Sequence, residues 1–213
     1  MKIKYLGLQD FTATWQAMHD FTLNRDENTE DELWVLEHTP VFTQGQAGKP
    51  EHIINPHNIP IIQTDRGGQV TYHGPGQIII YVLYDIKRAK MGVRQLVSTL
   101  EQSIIQLLAQ YDINAQTHCE RPGVYIQEEK IASIGLRVKK GCSFHGISFN
   151  VAMDLTPFTY INPCGYAQLK MTQLKTFMSD VNVDKIQHNL AESLAELLKN
   201  NAKSSCTQSP PSG

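Results

Sequence analysis

Residues 66–77 of the chain read Arg66-Gly67-Gly68-Gln69-Val70-Thr71-Tyr72-His73-Gly74-Pro75-Gly76-Gln77, a short segment between two apolar runs. The segment combines four glycines with a proline and a histidine. Glycine lets backbone N–H groups come within hydrogen-bonding distance of a bound group, and Pro75 restricts the turn that follows His73. The segment therefore predicts a ligand site that is lined largely by backbone.

The elements predicted on either side of this segment define the fold class. Apolar runs bounded by Pro, Gly and Asn predict strands over residues 2–8, 33–37, 41–43, 59–63, 70–72, 78–84, 123–127, 130–138 and 143–151. Apolar residues at helical spacing predict helices over residues 10–25, 93–111 and 183–199. Asp10 is the expected N-cap of the first helix. This order of elements predicts an α+β, or mixed α/β, fold.

Length and composition limit the number of domains and the classes of partner. With 213 residues, of which 41% are hydrophobic and 19% charged, the chain is long enough to bury a core. We expect one domain over residues 1–200 and a polar, flexible tail over residues 201–213. The net charge of -2 argues against a nucleic-acid partner. Because neither a signal peptide nor a long apolar run is evident, we expect no membrane partner and a cytoplasmic location.

The candidate nucleophile is Cys164, in the sequence Ile161-Asn162-Pro163-Cys164-Gly165-Tyr166. Pro163 restricts the residue before it, and Gly165 leaves space after the cysteine. This pattern predicts a thiol on a tight turn with an open backbone. A lone cysteine is more often a small buried hydrophobe, so the turn by itself does not assign catalysis.

Two further polar residues lie on predicted strands that could form a cleft with this thiol. Lys130 begins an otherwise apolar strand, and His145 lies on the next strand, within Phe144-His145-Gly146-Ile147-Ser148-Phe149-Asn150. In the alternative interpretation, Lys130 is a solvated charge at a strand end and His145 is a core imidazole with satisfied hydrogen bonds. The same alternative applies to His73.

Four motifs in this order and spacing resemble the lipoyl(octanoyl) transferases. They are residues 66–77, Lys130-Ile131-Ala132-Ser133-Ile134-Gly135, residues 144–150, and Asn162-Pro163-Cys164-Gly165. The likeness extends over about residues 5–178, and the combination is much more specific than any single motif. The resemblance implies the fold that the catalytic domains of biotin and lipoate ligases share.

The resemblance also implies an activity and its partners. The implied reaction moves an octanoyl or lipoyl group from octanoyl-acyl carrier protein to one lysine of a lipoyl domain. The implied acceptors are lipoyl domains of 2-oxoacid dehydrogenases and the glycine cleavage H protein. Cys164 matches the acylated cysteine of the family, and Lys130 matches its partner lysine. We expect neither a cofactor nor a metal.

By the same resemblance, three segments line an acyl pocket. Its implied residues are Arg66, Gly67, Gly68, Gln69, Val70, Thr71, Tyr72, His73, Ser133, Ile134, Gly135, His145, Gly146, Ile147 and Ser148. We expect His73 and His145 near the thioester, and backbone N–H groups near Gly135 or Gly146 as oxyanion donors. Burial of one methylene is worth about 0.8 kcal/mol, so the loss of two, about 1.6 kcal/mol, disfavours a shorter chain by a little over tenfold.

The residue types agree with this chemistry, because an ordinary thiol is only about 3% ionised at pH 7. A charged Lys130 next to Cys164 would favour the thiolate. A buried, neutral Lys130 would instead take the thiol proton and return it to a leaving thiol. The sequence leaves both versions open.

Three other functions are compatible with parts of the sequence. An ATP-dependent lipoate or biotin ligase shares the fold, but it forms an acyl-adenylate and needs no cysteine nucleophile. A metal site is the second alternative, although one C-x-x-H pair is weak evidence; its candidate ligands are His73, His118, Cys119, Cys142 and His145. A non-catalytic acyl-binding protein is the third, and turnover distinguishes it from a transferase.

The implied protein partners are typically acidic, so we expect a basic docking surface. The candidate segments are Lys87-Arg88-Ala89-Lys90 with Arg94, and Arg137-Val138-Lys139-Lys140. The alternative is that both segments are ordinary solvated surface.

Overall fold

A computed structural model of the chain, which describes residues 1–118, 121–167 and 169–206, contains two β-sheets and three α-helices in those ranges. The strands are β1 (Lys2–Gln9), β2 (Glu32–His38), β3 (Val41–Gln44), β4 (Ile61–Gln63), β5 (Val70–His73), β6 (Gln77–Asp85), β7 (Gln116–Thr117), β8 (Val124–Ile126), β9 (Glu129–Lys139) and β10 (Cys142–Asn150). The helices are α1 (Phe11–Leu23), α2 (Val93–Ala109) and α3 (Val183–Cys206). The predicted α+β class is confirmed, and β7 is the strand that the sequence did not predict.

The larger sheet has seven strands in the order β1-β2-β6-β10-β9-β8-β7. Its first two strands pair in parallel and its other neighbours pair antiparallel, so the sheet is mixed. The smaller sheet has the order β4-β3-β5, and β5 forms the middle of the glycine-rich segment.

Strand β6 is an unbroken apolar run because both faces of the larger sheet are covered there. Ile78 and Ile80 belong to the main core together with residues of α2 and α3. Ile79 and Tyr81 point to the other face and belong to a cluster with Met18 of α1. The sheet therefore has α2 and α3 on one side and α1 on the other.

A patch of small residues interrupts this second face where β9 and β10 meet. The patch consists of Ser133, Gly135, Gly146 and Ser148. Ser148 is paired across the sheet with Ile79, and Gly146 is paired with Tyr81, so two bulky side chains of β6 border the patch. Directly paired residues of a sheet point to the same face, which leaves a depression above the small residues.

The glycine-rich segment closes over this depression. Strand β8 pairs with β9 only as far as Ala132, so the outer edge of β9 is open beyond that residue. The amide of Gly67 donates to the carbonyl of Leu136 on this edge, at 3.0 Å. A Cβ atom on Gly135 would lie only 3.2 Å from Cδ of Arg66. The Arg66 side chain therefore lies over Gly135, at one corner of the small-residue patch.

The helix ends confirm one prediction and correct another. Asp10 is the N-cap of α1, and its carboxylate accepts a hydrogen bond from the amide of Ala13 at 2.9 Å, as predicted. Helix α3 continues to Cys206, so the predicted end at Lys199 is wrong. Between Val183 and Pro210, the sequence contains no Pro or Gly that would end the helix. The domain over residues 1–200 and the tail over residues 201–213 stay predictions. Residues 207–213 lie outside the described part.

Within the described ranges, no helix is long and apolar enough to cross a bilayer.

Candidate active site

Cys164 is the central residue of a tight 3-10 turn over Pro163–Gly165. Its backbone lies in the left-handed region, with φ 56° and ψ 14°. This conformation costs a residue that has a side chain about 1–2 kcal/mol. Gly165 follows with φ 82°, where glycine is favoured. Strain of this kind is concentrated at functional positions, and here it orients a partly buried thiol.

Two segments hold this turn in place. The amide of Asn162 donates to the carbonyl of His52 at 2.8 Å, and Ile53 forms a β-bridge with Ile161. On the other side, a Cβ atom on Gly165 would lie 3.2 Å from the side chain of Gln69 in the glycine-rich segment. The cysteine turn therefore has little freedom to move away from the cavity.

Lys130 is buried, with 2% of its side chain exposed, and its Nζ donates to Sγ of Cys164 at 3.1 Å. The ammonium also lies 5.5 Å from the centre of the Tyr125 ring. No carboxylate of the described residues is within ion-pair distance of Lys130. The interpretation of Lys130 as a solvated strand-end charge is therefore wrong, and the thiol is its polar partner.

Arg66 is a buried cation that lines the same cavity. Its guanidinium donates to the carbonyl of Gly67 at 2.9 Å and to the hydroxyl of Thr43 at 2.9 Å. Among the described residues, it forms no ion pair with a carboxylate. Burial lowers the pKa of Arg66 to about 10, while negative charge on Cys164 or Tyr81 acts in the opposite direction. Arg66 thus remains a cation at neutral pH.

His73 forms two hydrogen bonds behind this cation. Its Nδ1 lies 2.8 Å from Oε1 of Gln77, and its Nε2 lies 3.1 Å from the hydroxyl of Thr43. Burial, reinforced by the charges of His38 and Arg66, lowers the pKa of His73 well below its ordinary value. The ring is therefore neutral, so that Nδ1 donates to Gln77 and Nε2 accepts from Thr43.

The same hydrogen-bond network reaches the backbone of Lys130. Nε2 of Gln77 donates to Oδ1 of Asn150 at 2.9 Å, and Nδ2 of Asn150 donates to the carbonyl of Thr172 at 2.9 Å. The amide of Thr172 donates in turn to the carbonyl of Lys130 at 2.9 Å. Asn150 thereby fixes the segment after the cysteine turn against the strand that carries the lysine.

A second buried pair, His38 and Tyr81, lies beside His73. Nδ1 of His38 donates to the carbonyl of Gln9 at 3.0 Å, so its Nε2 accepts from the Tyr81 hydroxyl at 2.6 Å. Burial lowers the pKa of His38 to about 4, against a smaller opposing effect of the bond to Gln9. The ring of Phe11 contacts the rings of both His38 and His73.

His145 points into the same cavity because its backbone is left-handed, with φ 60°. Its Nε2 lies 3.0 Å from Oδ1 of Asp65, which also accepts from Nε1 of Trp15 at 3.0 Å. Burial lowers the pKa of His145, and the hydrogen bond and charge of Asp65 partly offset this effect. His145 is therefore a hydrogen-bonded imidazole at one wall of the cavity.

These residues surround a cavity of about 380 Å³, a size typical of small-molecule sites. Both Cys164 and Lys130 line it, together with every pocket residue implied by the sequence except Tyr72. The ring of Tyr72 packs against Phe42 and Phe158 in a separate core. Alternation along β5 turns the ring of Tyr72 away from His73 and into this separate core.

The cavity has further lining residues that the sequence did not identify. They are Phe11, Ile79, Tyr81, Val93, Val97, Arg121, Pro122, Leu136 and Tyr166. Most are apolar residues that the sequence assigns to a helix or strand without indicating which face meets the cavity. Tyr166 could have been predicted as a lining residue, because it lies only two positions after Cys164 in the sequence.

The described part of the chain contains no group of three or more His, Cys, Asp or Glu side chains that could bind a metal ion. The structure thus gives no support to the metal-site alternative. Cys142 is a buried free cysteine at the far end of β10. Cys119, another candidate ligand, lies outside the described residues.

Sequence comparison shows that the chain is similar to lipoyl protein ligases and octanoyltransferases. The family model of the lipoyl protein ligase A/B catalytic domain matches residues 10–195. An octanoyltransferase of Shewanella piezotolerans is 58% identical over 198 residues, which cover 93% of this chain and 90% of the relative. An octanoyltransferase of Shewanella frigidimarina is 57% identical, with coverage of 93% and 92%.

Solved structures show the same fold at low sequence identity. A lipoate-protein ligase A bound with ATP has a TM-score of 0.77 at 13% identity, over 100% of this chain and 96% of the other. The biotin protein ligase from Aquifex aeolicus has a TM-score of 0.57 at 15% identity, over 95% and 71%. The predicted biotin and lipoate ligase fold is confirmed.

Proposed function

The chain belongs to the lipoyl protein ligase A/B catalytic domain family, and we propose that it transfers an octanoyl or lipoyl group from acyl carrier protein to a lysine of a lipoyl domain. The observation that carries this proposal is the contact of 3.1 Å between Nζ of Lys130 and Sγ of Cys164 at the wall of a closed-ended cavity. The names of the Shewanella relatives support the same reaction.

In the proposed cycle, Cys164 is the nucleophile and Lys130 is its acid and base. The ammonium of Lys130 favours the thiolate by charge and by hydrogen bonding. The thiolate attacks the carbonyl of the donor thioester, and the carrier thiolate leaves with a proton from Lys130. One thioester is broken and one is formed, so this step needs no ATP.

In the second half of the cycle, the neutral amine of the acceptor lysine attacks the acyl group on Cys164. The tetrahedral intermediate expels the Cys164 thiolate, and the amine proton passes to Lys130, which becomes an ammonium again. An amide replaces a thioester, which makes this step favourable. The charges of both residues return to their starting values.

Arg66 is suited to stabilise the negative charges of this cycle. It is a buried guanidinium that has no carboxylate partner among the described residues. A buried cation without a partner is costly, and an anion in the cavity removes that cost. We propose that this anion is the thiolate and then the oxyanion, together with the backbone donors predicted near Gly135 or Gly146.

The proposed partners are octanoyl-acyl carrier protein as donor, and lipoyl domains of 2-oxoacid dehydrogenases and the glycine cleavage H protein as acceptors. Of the two basic segments, the one at residues 87–90 is partly used within the chain, because Arg88 pairs with Asp31 at 2.9 Å. Lys139 and Lys140 of the β9–β10 hairpin have no ion pair with a carboxylate of the described residues. They are the better candidates for contact with acidic partners.

Mass spectrometry of the intact protein after incubation with octanoyl-acyl carrier protein tests the proposal. We expect one octanoyl adduct on the wild type without ATP, and none on Cys164→Ala. Cys142→Ala is the matched control, since Cys142 is a free cysteine that does not line the cavity, and it should keep the adduct. An adduct that persists in Cys164→Ala, or that requires ATP, would contradict the proposal and favour the ligase alternative.

A further inference from the structure

We propose that Ile79 and Tyr81 of β6 form the end wall of the acyl cavity and set the longest chain that the enzyme accepts. This inference rests on the proposed acyl transfer and adds the determinant of its substrate length. The two side chains line the cavity and lie on the face of the sheet opposite to the main core.

The floor of the cavity runs across the strands toward this wall. One row of paired residues reads Ser133, Ser148 and Ile79, and the next reads Gly135, Gly146 and Tyr81. In each row, two small residues are followed by one large residue. Because Arg66 covers Gly135, the row left for an acyl chain is that of Ser133 and Ser148. A chain on this row meets the side chain of Ile79 at β6.

Exposure of the lining residues shows which end is open. Val93 and Tyr166 are 45% and 43% exposed, and Tyr166 is two residues from Cys164. Ile79 and Tyr81 are only 1% and 4% exposed. The cavity thus opens beside the cysteine turn and is closed at β6.

The floor between β9, the strand that carries Lys130, and β6 matches the length of an eight-carbon chain. From β9 to β6, the floor spans two strand spacings, which amounts to roughly 10 Å. An extended octanoyl group, with C–C bonds of about 1.5 Å in a zigzag, spans roughly 9 Å. A chain with two more carbons would have to displace the end wall.

The wall is fixed by hydrogen bonding and packing. The hydroxyl of Tyr81 donates to His38 at 2.6 Å, and the ring of His38 is held by the carbonyl of Gln9. Phe11 packs against His38 from the first turn of α1. Displacement of Tyr81 would break a buried hydrogen bond, so the wall does not yield to a longer chain.

The adjacent isoleucines of β6 provide a matched pair of variants. Ile79 and Ile80 are the same residue type, are equally buried and follow one another in the strand. Only Ile79 lines the cavity, whereas Ile80 belongs to the core beneath α2 and α3. Ile79→Ala and Ile80→Ala therefore lose similar packing, but only the first lengthens the cavity.

The measurement is the ratio of the rates at which Cys164 is loaded from decanoyl- and octanoyl-acyl carrier protein, followed by intact mass spectrometry. Within one variant, this ratio does not depend on the folded fraction. Burial of two additional methylenes should raise it about fifteenfold in Ile79→Ala, with no change in Ile80→Ala. Should either variant be poorly folded, Ile79→Val and Ile80→Val serve instead, with about a fourfold rise expected for the first alone.

An unchanged ratio in Ile79→Ala, or an equal rise in both variants, would overturn the inference while leaving the transferase function intact. Failure of the wild type to load any acyl group would overturn the proposed function as well.

Discussion

The two ends of the cavity are built in opposite ways. At the open end, Cys164 has a strained left-handed backbone, and Lys130 is a buried lysine whose Nζ donates to the thiol sulfur. At the closed end, His73, His38 and Tyr81 are buried, and each has a hydrogen-bond partner. Backbone strain thus lies at the thiol, whereas these three groups of the closed end are held by hydrogen bonds.

The difference in charge between the ends explains this division. Neutral histidines with paired nitrogens contribute a rigid wall without adding charge to an apolar cavity. The Arg66 cation, and Lys130 in its charged form, are costly in the same surroundings unless an anion joins them. The comparison therefore predicts that changes at the open end reduce reactivity, whereas changes at the closed end alter stability.

The strongest test of this division is Lys130→Met, which keeps the length of the side chain and removes the charge. We expect acyl transfer to fall by at least about 100-fold, because the residue is the proposed acid and base. The free energy of unfolding should stay the same or rise, because a buried cation has been removed. Transfer rates to a lipoyl domain and denaturant titrations measure the two effects.

Lys170→Met is the control for that experiment, because Lys170 is a neighbouring but exposed lysine. It should retain the wild-type transfer rate. If Lys130→Met also stays within a few-fold of the wild type, the two ends do not differ in the way we describe.

The open end could be predicted from the sequence because its signals are local. Pro163 and Gly165 around Cys164 predict a tight turn, and the four motifs resemble one family, which brings Lys130 to Cys164. The α+β fold followed from the periodicity of the strands and helices. The catalytic roles of the two residues remain predictions.

The closed end could not be predicted, because its signals are not local. β6 is apolar on both faces, so the alternation that would separate Ile79 from Ile80 is absent. The contacts between His38 and Tyr81, and between Asn150 and Thr172, join residues 43 and 22 positions apart. The sequence also misplaced Tyr72 in the pocket, and it ended α3 too early because no helix breaker marks the true end.

Asn150 connects the two ends, so its replacement should produce a smaller and mixed effect. Asn150→Ala leaves Gln77 and the carbonyl of Thr172 without their partners, which should lower stability by about 1–3 kcal/mol. Because Thr172 positions the backbone of Lys130, acyl transfer should also fall by roughly tenfold. The rate of Cys164 alkylation by iodoacetamide, corrected for the folded fraction, should decrease in parallel.

Ser103→Ala separates positioning from general destabilisation. The Ser103 hydroxyl is buried in α2 and donates to the carbonyl of Leu100 at 2.7 Å, away from the network. This variant should lose stability and keep both rates. Equal rates in Asn150→Ala and Ser103→Ala would show that Asn150 does not position the reactive pair.

The smallest effect on reactivity is expected at His38, where the comparison predicts a change in stability alone. Burial lowers the pKa of His38 to about 4 from an ordinary value of 6.5. Above pH 6.5, the ring is neutral in both the folded and the unfolded chain. As the pH falls from 6.5 toward 4, the unfolded chain binds a proton that the folded chain does not, so stability decreases. At pH 5, this loss should amount to about 2 kcal/mol, and His38→Gln should lack it.

Denaturant titrations at pH 7.5 and 5.0 measure the difference, with the exposed His188→Gln as control. An equally steep loss of stability in His38→Gln and the wild type would mean that His38 is not the neutral, buried group that holds the end wall.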